Sequence, residues 1–493
     1  MTDSSSSLSK RINRGVAWTA ASQTIVAVSD MVSQLLVVSL WLTNTQFGIA
    51  MMAVPLYSIL DCASDFGVTS ALIQRDDHTP ERVSTVFWFN VLLSGGLFVV
   101  LLVVGPLYGR LQGYSVVGWL LVAYGGKLLV QNLYAIPYAL LRKDLQFAEI
   151  AKIRTIAYLA ESVTRIVFAV LGLKIWCFTL AAIAKTVVFA VLMQARHPFW
   201  PKWVFRPREV MPYVRFGLRS AASQLLYYTY TNLDYPIVSY YFGAAANGIY
   251  ALAYWVVLEA VKTIANVVID VAFPTFARLR LDRANLVAQF IRLTRLNLIA
   301  VLPFVVLILL VVPEFLRVAY GGGQWSGDQL AQAATAARIL CAVGLLRALG
   351  FIGPPLLDGI GRPELTLRYM AFAAVIVPGC FLLSAELLGD RLGMLSVAIG
   401  WAVGYPIAFG VLSVLVVKAI ALPARDYIKA CLGIIACAAG GLAAGYGVSM
   451  ALPDQSDGVR MIAIGGTALV GTFGLLATWQ KVTPRSIGAS MRD

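Results

Sequence analysis

Eight stretches of this chain run for 17 to 30 residues without a charged side chain: 31–60, 83–109, 235–258, 296–313, 369–385, 392–417, 430–453 and 461–480. A helix of about 18 such residues is long enough to cross the hydrocarbon layer of a bilayer. In lipid every backbone N–H and C=O must find a partner within the protein, so only helices and closed barrels span it. A barrel strand needs only about ten residues, so runs of this length read as helices. Composition agrees, with 59% of residues hydrophobic and 13% charged, against roughly 25% charged in soluble domains. In water such a chain would expose large associating patches.

The 31–60 run is too long for one crossing, and Thr43, Asn44 and Thr45 supply a turn within it. Adding apolar runs interrupted by one or two ionisable residues gives about fourteen spans, near 15–41, 46–73, 84–108, 116–141, 147–171, 174–195, 213–241, 247–276, 291–316, 330–357, 364–386, 392–417, 427–450 and 459–480. Residues 1–14 are Ser-rich and then basic (Lys10, Arg11, Arg14), like the head of a signal peptide. The apolar stretch beyond exceeds an h-region of about 7–15 residues, so it reads as a retained first span. Basic residues then orient the chain. One set of alternate loops, with both termini, holds 28 Lys and Arg, the other set holds 5, and 6 lie within spans. The richer side is cytoplasmic. A net charge of +14 distributed this way indicates orientation in a membrane and argues against a nucleic-acid groove.

There is an internal repeat. Ala20-Ala21-Ser22-Gln23 in the first span recurs as Ala221-Ala222-Ser223-Gln224 in the seventh, and Phe47-Gly48-Ile49-Ala50 opens the second as Asn247-Gly248-Ile249-Tyr250 opens the eighth. Six spans separate the copies, so both run the same way through the membrane, the layout of a parallel repeat. The expected fold is an all-α integral membrane protein with two six-helix bundles and a C-terminal helix pair. The expected segments are a tail at 1–14, a bundle at 15–195, a linker at 196–212, a bundle at 213–417, an extra pair at 418–480 and a tail at 481–493. Two related bundles with no soluble domain suit a transporter, with its path between them.

Fourteen ionisable residues fall inside the spans: Lys127, Arg165, Lys185, Lys262, Arg338 and Arg347, and Asp30, Asp61, Asp65, Glu149, Glu161, Asp234, Glu259 and Asp270. Each charge at a helix centre costs about 2.5–3.5 kcal/mol, so fourteen facing lipid would approach roughly 40 kcal/mol. Folds are stable by only about 5–15 kcal/mol. These groups must pair, reach an interface or face a wet cavity. Glu161 and Arg165 (i, i+4) and Glu259 and Lys262 (i, i+3) share helix faces. Lys127, Lys185, Arg338 and Arg347 have no acid within four residues. Arg338 sits near a span end, where snorkelling is the competing explanation. The acids assigned to the membrane interior all lie before residue 271. A cationic lining suits an anion, arginine binding phosphate by its fork and lysine as a point charge. Tyr227, Tyr228, Tyr230, Tyr235, Tyr240, Tyr241, Tyr250, Tyr254 and Trp255 crowd the seventh and eighth spans, as sugar-stacking faces or as interface belts.

Enzyme signatures are missing. The six cysteines lie in apolar stretches without metal spacing, and His78 and His197 sit in loops, so no metal or other cofactor is expected. There is no GxxxxGK[ST], HExxH or GxSxG. Gly321-Gly322-Gly323 reads as an outer turn.

Four stretches resemble the Wzx-type polysaccharide flippases, the polysaccharide transporter branch of the multidrug/oligosaccharidyl-lipid/polysaccharide superfamily. They are Phe47-Gly48 with Asp65-Phe66-Gly67 and Ala71-Leu72-Ile73-Gln74-Arg75; Pro137 to Phe147; Asn232-Leu233-Asp234 with Phe242-Gly243-Ala244 and Gly248-Ile249-Tyr250; and Phe273-Pro274-Thr275-Phe276-Ala277-Arg278-Leu279. The resemblance covers residues 10–420 or so. It implies alternating access in a bacterial inner membrane, with an undecaprenyl-pyrophosphate-linked oligosaccharide as substrate. Polysaccharide polymerase, chain-length machinery and membrane lipids are the candidate partners, and nucleic acid is not. Lys127, Lys185, Lys262, Arg165, Arg338 and Arg347 are then candidates for the pyrophosphate path. Asp30, Asp61, Asp65, Asp234 and Asp270 are candidates to bind a coupling proton or sodium. A multidrug exporter or lipid II flippase of the same superfamily is the alternative. A membrane glycan polymerase comes third, because the outer loops are short.

Overall fold

The structure, a computed structural model, describes residues 22–64, 72, 79–144 and 146–481, with only the backbone of 209, 210, 212, 213 and 215–220. The described residues form helices α1 (Ser22–Leu40), α2 (Asn44–Ala63), α3 (Pro80–Leu111), α4 (Ser115–Lys143), α5 (Phe147–Val170), α6 (Trp176–Arg196), α7 (Pro207–Asn232) and α8 (Asp234–Tyr254). A π-helical turn at Trp255–Glu259 leads into α9 (Ala260–Leu279), followed by α10 (Arg283–Tyr320), α11 (Gly327–Gly350) and the short α12 (Gly353–Gly359). The last four are α13 (Pro363–Leu392), α14 (Leu395–Ile420), α15 (Ala424–Ala451) and α16 (Asp457–Thr478). Every expected span falls on one or more of these helices.

Among the described residues eleven helical segments are long and apolar enough to cross a membrane. The other expected spans are α5 and the two between residues 207 and 279. Glu149, Lys152, Arg154, Glu161 and Arg165 dilute α5. Between 207 and 279 the helix is interrupted after Asn232, kinked at Gly243 (φ 81°, ψ 175°) and widened at the π turn. Only glycine adopts the Gly243 geometry readily.

Local chemistry sets the starts. Thr43 caps α2 in a reciprocal pair with Gln46, each side chain bonding the other residue's backbone, which places the break in the 31–60 run where the turn residues stand. Ser326 and Gln329 repeat the device at α11, after the Gly321–Gly323 turn. Thr79 caps α3, with Pro80 in the first turn.

The chain divides into two compact units, residues 1–245 and 246–493. In the first, α3 packs along α4, α5 along α6, and α4 also against α6 and α2. The α3–α4 contact is backbone to backbone, since a Cβ on Gly118 would stand 2.6 Å from the Gly105 carbonyl oxygen. Small residues permit such approach in membranes. Helix α7 packs on α2 and α3 and so belongs to this unit, although the 196–212 boundary assigned it to the second bundle. Hydropathy counts spans but does not say which neighbour a span packs against.

In the second unit α13 pairs with α14 and α15 with α16, and both helices of the last pair rest on α10. Glu314, near the C-terminal end of α10, is buried at 5% exposure and holds Arg460 at 3.2 Å and Arg317 at 3.7 Å. This corrects the expectation that the buried acids all precede residue 271.

Candidate functional site

In the first unit α2, α3, α4, α5 and α6 surround a polar cavity of about 640 Å³. Among the described residues four basic side chains line it, Lys127, Arg142, Arg154 and Lys185, with one carboxylate, Asp61. Asn90, Gln131 and Asn132 add amides, and Tyr57, Tyr134, Tyr138 and Tyr158 add aromatic faces. Helical periodicity collects them. Residues 127, 131, 134, 138 and 142 recur every three or four positions and so share one face of α4. Arg154 and Tyr158 do the same on α5.

Pro137 interrupts α4 beside this wall. Proline has no N–H, so the carbonyl four residues back loses its helical partner. That carbonyl, on Leu133, accepts a 2.5 Å hydrogen bond from Gln194 Nε2 on α6.

The charges are coupled across helices. Lys127 is buried, donates a hydrogen bond to the Tyr57 hydroxyl and stands 3.7 Å from Asp61 Oδ1. The Tyr57 hydroxyl donates to Asp61 at 3.2 Å, and its ring stacks on Tyr124 at 4.2 Å. Lys185 pairs with Glu161 at 2.9 Å and lies 4.4 Å from the centre of the Tyr158 ring. Glu161 in turn meets Arg165 at 3.8 Å, and Arg165 meets Asp30 at 2.8 Å and donates to Ser33 Oγ at 2.9 Å. The sequence pairing of Glu161 with Arg165 is present but is the longer of the contacts Glu161 makes.

Arg142 and Arg154 are the lining residues that sequence reading passed over, because both fell among loop charges. Their guanidinium groups lie 5.8 Å from the Tyr138 ring and 5.5 Å from the Tyr158 ring. Four-residue spacing between each arginine and its tyrosine was the available signal.

The candidates therefore separate. Lys127, Lys185 and Asp61 share the cavity, and Arg165 and Asp30 form a link outside its lining, with the arginine buried and the aspartate half-buried. In the second unit Lys262 pairs with Glu259 at 3.2 Å. Arg347 is 2% exposed, with its guanidinium 5.5 Å from both the Phe351 and Trp401 rings and a 3.3 Å bond to the Tyr254 hydroxyl. Arg338 is exposed and reaches the Leu309 carbonyl at 3.4 Å, as a snorkelling residue would. Asp234 is buried and accepts from the Tyr235 N–H at 3.0 Å, while Asp270 is exposed. Asp65 lies outside the described residues. Tyr250 and Tyr254 are buried in the helix core, Tyr254 6.3 Å from Trp401, and so serve neither as a belt nor as an open sugar platform.

Comparison with known proteins places the chain in a family. Over 406 residues the chain is 25% identical to the lipopolysaccharide biosynthesis protein WzxC of Escherichia coli (strain K12), covering 80% of this chain and 78% of the relative. Over 396 residues it is 26% identical to the teichuronic acid biosynthesis protein TuaB of Bacillus subtilis (strain 168), covering 78% and 79%. The solved lipid II flippase MurJ, in an inward closed conformation, shares the fold with a TM-score of 0.71 at 13% identity, over 95% of this chain and 98% of that one. The family model of polysaccharide biosynthesis proteins matches residues 37–328, more than half of the chain. The chain is accordingly a member of the polysaccharide biosynthesis protein family, in the transporter fold that its sequence motifs resembled.

Proposed function

We propose that this protein carries an undecaprenyl-pyrophosphate-linked oligosaccharide repeat unit from the cytoplasmic to the periplasmic leaflet of the bacterial inner membrane, for exopolysaccharide, capsule or O-antigen assembly. The observation that supports this reading is the cavity lining, where the described residues set four basic side chains against one acid, with tyrosines and amides between them. The substrate has the same two chemistries. Its pyrophosphate calls for guanidinium forks and ammonium groups, and its sugars call for ring faces and amide hydrogen bonds. The family and the relatives' names in lipopolysaccharide and teichuronic acid biosynthesis support the same class of cargo.

The path alternates access between the two leaflets. An anion leaving the cytoplasm gains about 2.3 kcal/mol per charge per 100 mV from an inside-negative potential, so outward flipping is favoured without nucleotide hydrolysis. Of the acids proposed for ion coupling, Asp61 is the one among the described residues that lines the cavity, so a proton or sodium there competes with Lys127. Collapsing the sodium and proton gradients separately in a flipping assay tests coupling, and unchanged flipping in both sinks it.

The main experiment uses a strain deleted for the gene. Extracted carriers are expected to hold the lipid-linked oligosaccharide on the cytoplasmic leaflet, with loss of the surface polysaccharide. The intact gene restores both, and the variants Arg142→Gln and Arg154→Gln restore neither. Normal polysaccharide with altered drug sensitivity would move the assignment to a multidrug exporter.

A further inference from the structure

Residues 197–206, which join α6 to α7, form no helix, yet the segment is firmly held. The Phe199 N–H donates to Gln194 Oε1 at 2.9 Å, and the Lys202 N–H donates to Ser84 Oγ at 3.0 Å. Trp88 Nε1 donates to the Lys202 carbonyl at 2.9 Å, and Lys202 Nζ reaches Glu81 at 2.6 Å. The Phe199 ring packs near Phe87, and the Trp203 ring stacks on Trp88 at 4.6 Å.

This pinned strap turns its largest apolar groups outward. Trp200 is 82% exposed, Trp203 88% and Phe205 44%. Because the backbone is fastened at several points, the exposure does not arise from a loose loop. Two nearly bare tryptophans on a fixed scaffold are the kind of surface that marks a contact.

Position and charge identify the contact. The strap runs from Arg196, the last residue of α6, to Pro207, the first of α7, and so lies where the spans leave the hydrocarbon. Tryptophan is enriched at that depth, where its ring sits among headgroups. Lys202, Arg206 and Arg208 accompany the tryptophans, and Arg142, Lys143, Lys152 and Arg154 lie at the same, basic end of the spans. On the orientation read from loop charges this is the cytoplasmic face, whose leaflet carries anionic lipid.

We propose that the strap is a membrane-surface anchor that recognises anionic phospholipid, with Trp200 and Trp203 seated in the headgroup layer and Arg206 and Arg208 on lipid phosphates. The proposal rests on the orientation and not on the identity of the transported substrate, so its test is independent of flipping.

The full chain is reconstituted in nanodiscs of phosphatidylcholine, with and without phosphatidylglycerol, and oxidised by hydroxyl radicals. Mass spectrometry then reads each tryptophan separately. Trp200 and Trp203 are expected to oxidise several-fold more slowly in phosphatidylglycerol discs than in a synthetic peptide of residues 196–208, and faster again in phosphatidylcholine alone. The double variant Arg206→Gln, Arg208→Gln, which keeps the Lys202–Glu81 tie, is expected to lose the phosphatidylglycerol-dependent part, while fully buried Trp401 stays protected as the folding control. Oxidation in phosphatidylglycerol discs as fast as in the peptide overturns the anchor. Equal protection in both lipids overturns recognition of the anionic headgroup. Protection found only in native membranes, and not in discs, assigns the strap to a protein partner instead.

Discussion

Arg165 shows how single charges are accommodated in this membrane protein. Its guanidinium is 5% exposed and bridges Asp30 and Glu161 while donating to Ser33. Replacing it with methionine leaves Asp30 without its cation and Glu161 with Lys185 alone. Breaking a fully buried pair from one side typically costs about 3–5 kcal/mol, and the half-exposed Asp30 keeps its share of the loss below that range. Thermal unfolding in detergent should therefore fall for Arg165→Met, and the double variant Arg165→Met, Asp30→Asn should recover part of the loss. Equal melting of the two variants would show that the pair is not what holds α1 to α5. Lys127 permits a similar separation of structure from transport. Adding Asp61→Asn to Lys127→Met should restore stability without restoring polysaccharide export. Recovery of export would place Lys127 outside the substrate path. The presence of these charges was legible in the sequence, because an ionisable residue in an apolar run stands out. Their partners were not, because Lys127 finds Asp61 on another helix and Arg165 finds Asp30 on another. Only the helix faces that meet in the fold decide such pairs.

At the scale of elements, the helices of the first unit approach to backbone contact where glycine allows it. A side chain on Gly118 meets the Gly105 carbonyl and the Pro106 Cα, neither of which can rotate away. Gly118→Val should separate α3 from α4 and cost about 1–3 kcal/mol, the range for overpacked cores, read as a lower melting temperature. An unchanged melt would mean that the two helices can part without loss. The helix starts were readable from local chemistry, since Thr43-Asn44-Thr45 marked a break that a capping box then built. The interruptions between 207 and 279 were not, because a π turn and the Gly243 kink carry no hydropathy signal. Arg142 and Arg154 were assigned to loops for a related reason. Arg142 sits at the end of α4 and Arg154 two turns into α5, and only the packing of α4, α5 and α6 turns them toward the cavity.

Across the whole molecule, a charge cluster fastens the last helix pair to the body of the second unit. Arg317 on α10 makes two hydrogen bonds to Asp457 at the start of α16, at 2.9 and 2.7 Å. The Arg317 guanidinium lowers the Asp457 carboxyl below its usual value, chiefly by hydrogen bonding. A carboxylate with a depressed folded pKa stabilises above its unfolded value of about 3.9 and loses that contribution as pH falls through the folded one. The clasp is thus at full strength near neutral pH and weakens only below about pH 4. Both partners are more than a third exposed, so screening holds its worth near 0.2–1 kcal/mol. Asp457→Asn should lower the melting temperature slightly at pH 7 and remove part of the loss that the native protein shows on acidification. A pH response identical to that of the native protein would remove Asp457 from the account.

The sequence by itself determined the solvent and the all-helical secondary structure. Long charge-free runs admit no other solution in lipid, and backbone hydrogen bonding there forces helices. It also carried the family resemblance, which the match over residues 37–328 established. The tertiary structure alone decided which charges pair, that α7 belongs with the first unit, and that two arginines read as loop charges line a cavity. Hydropathy is a property of each segment taken alone. A cavity is a property of several helix faces at once, and their rotation is set by packing between residues far apart in the chain.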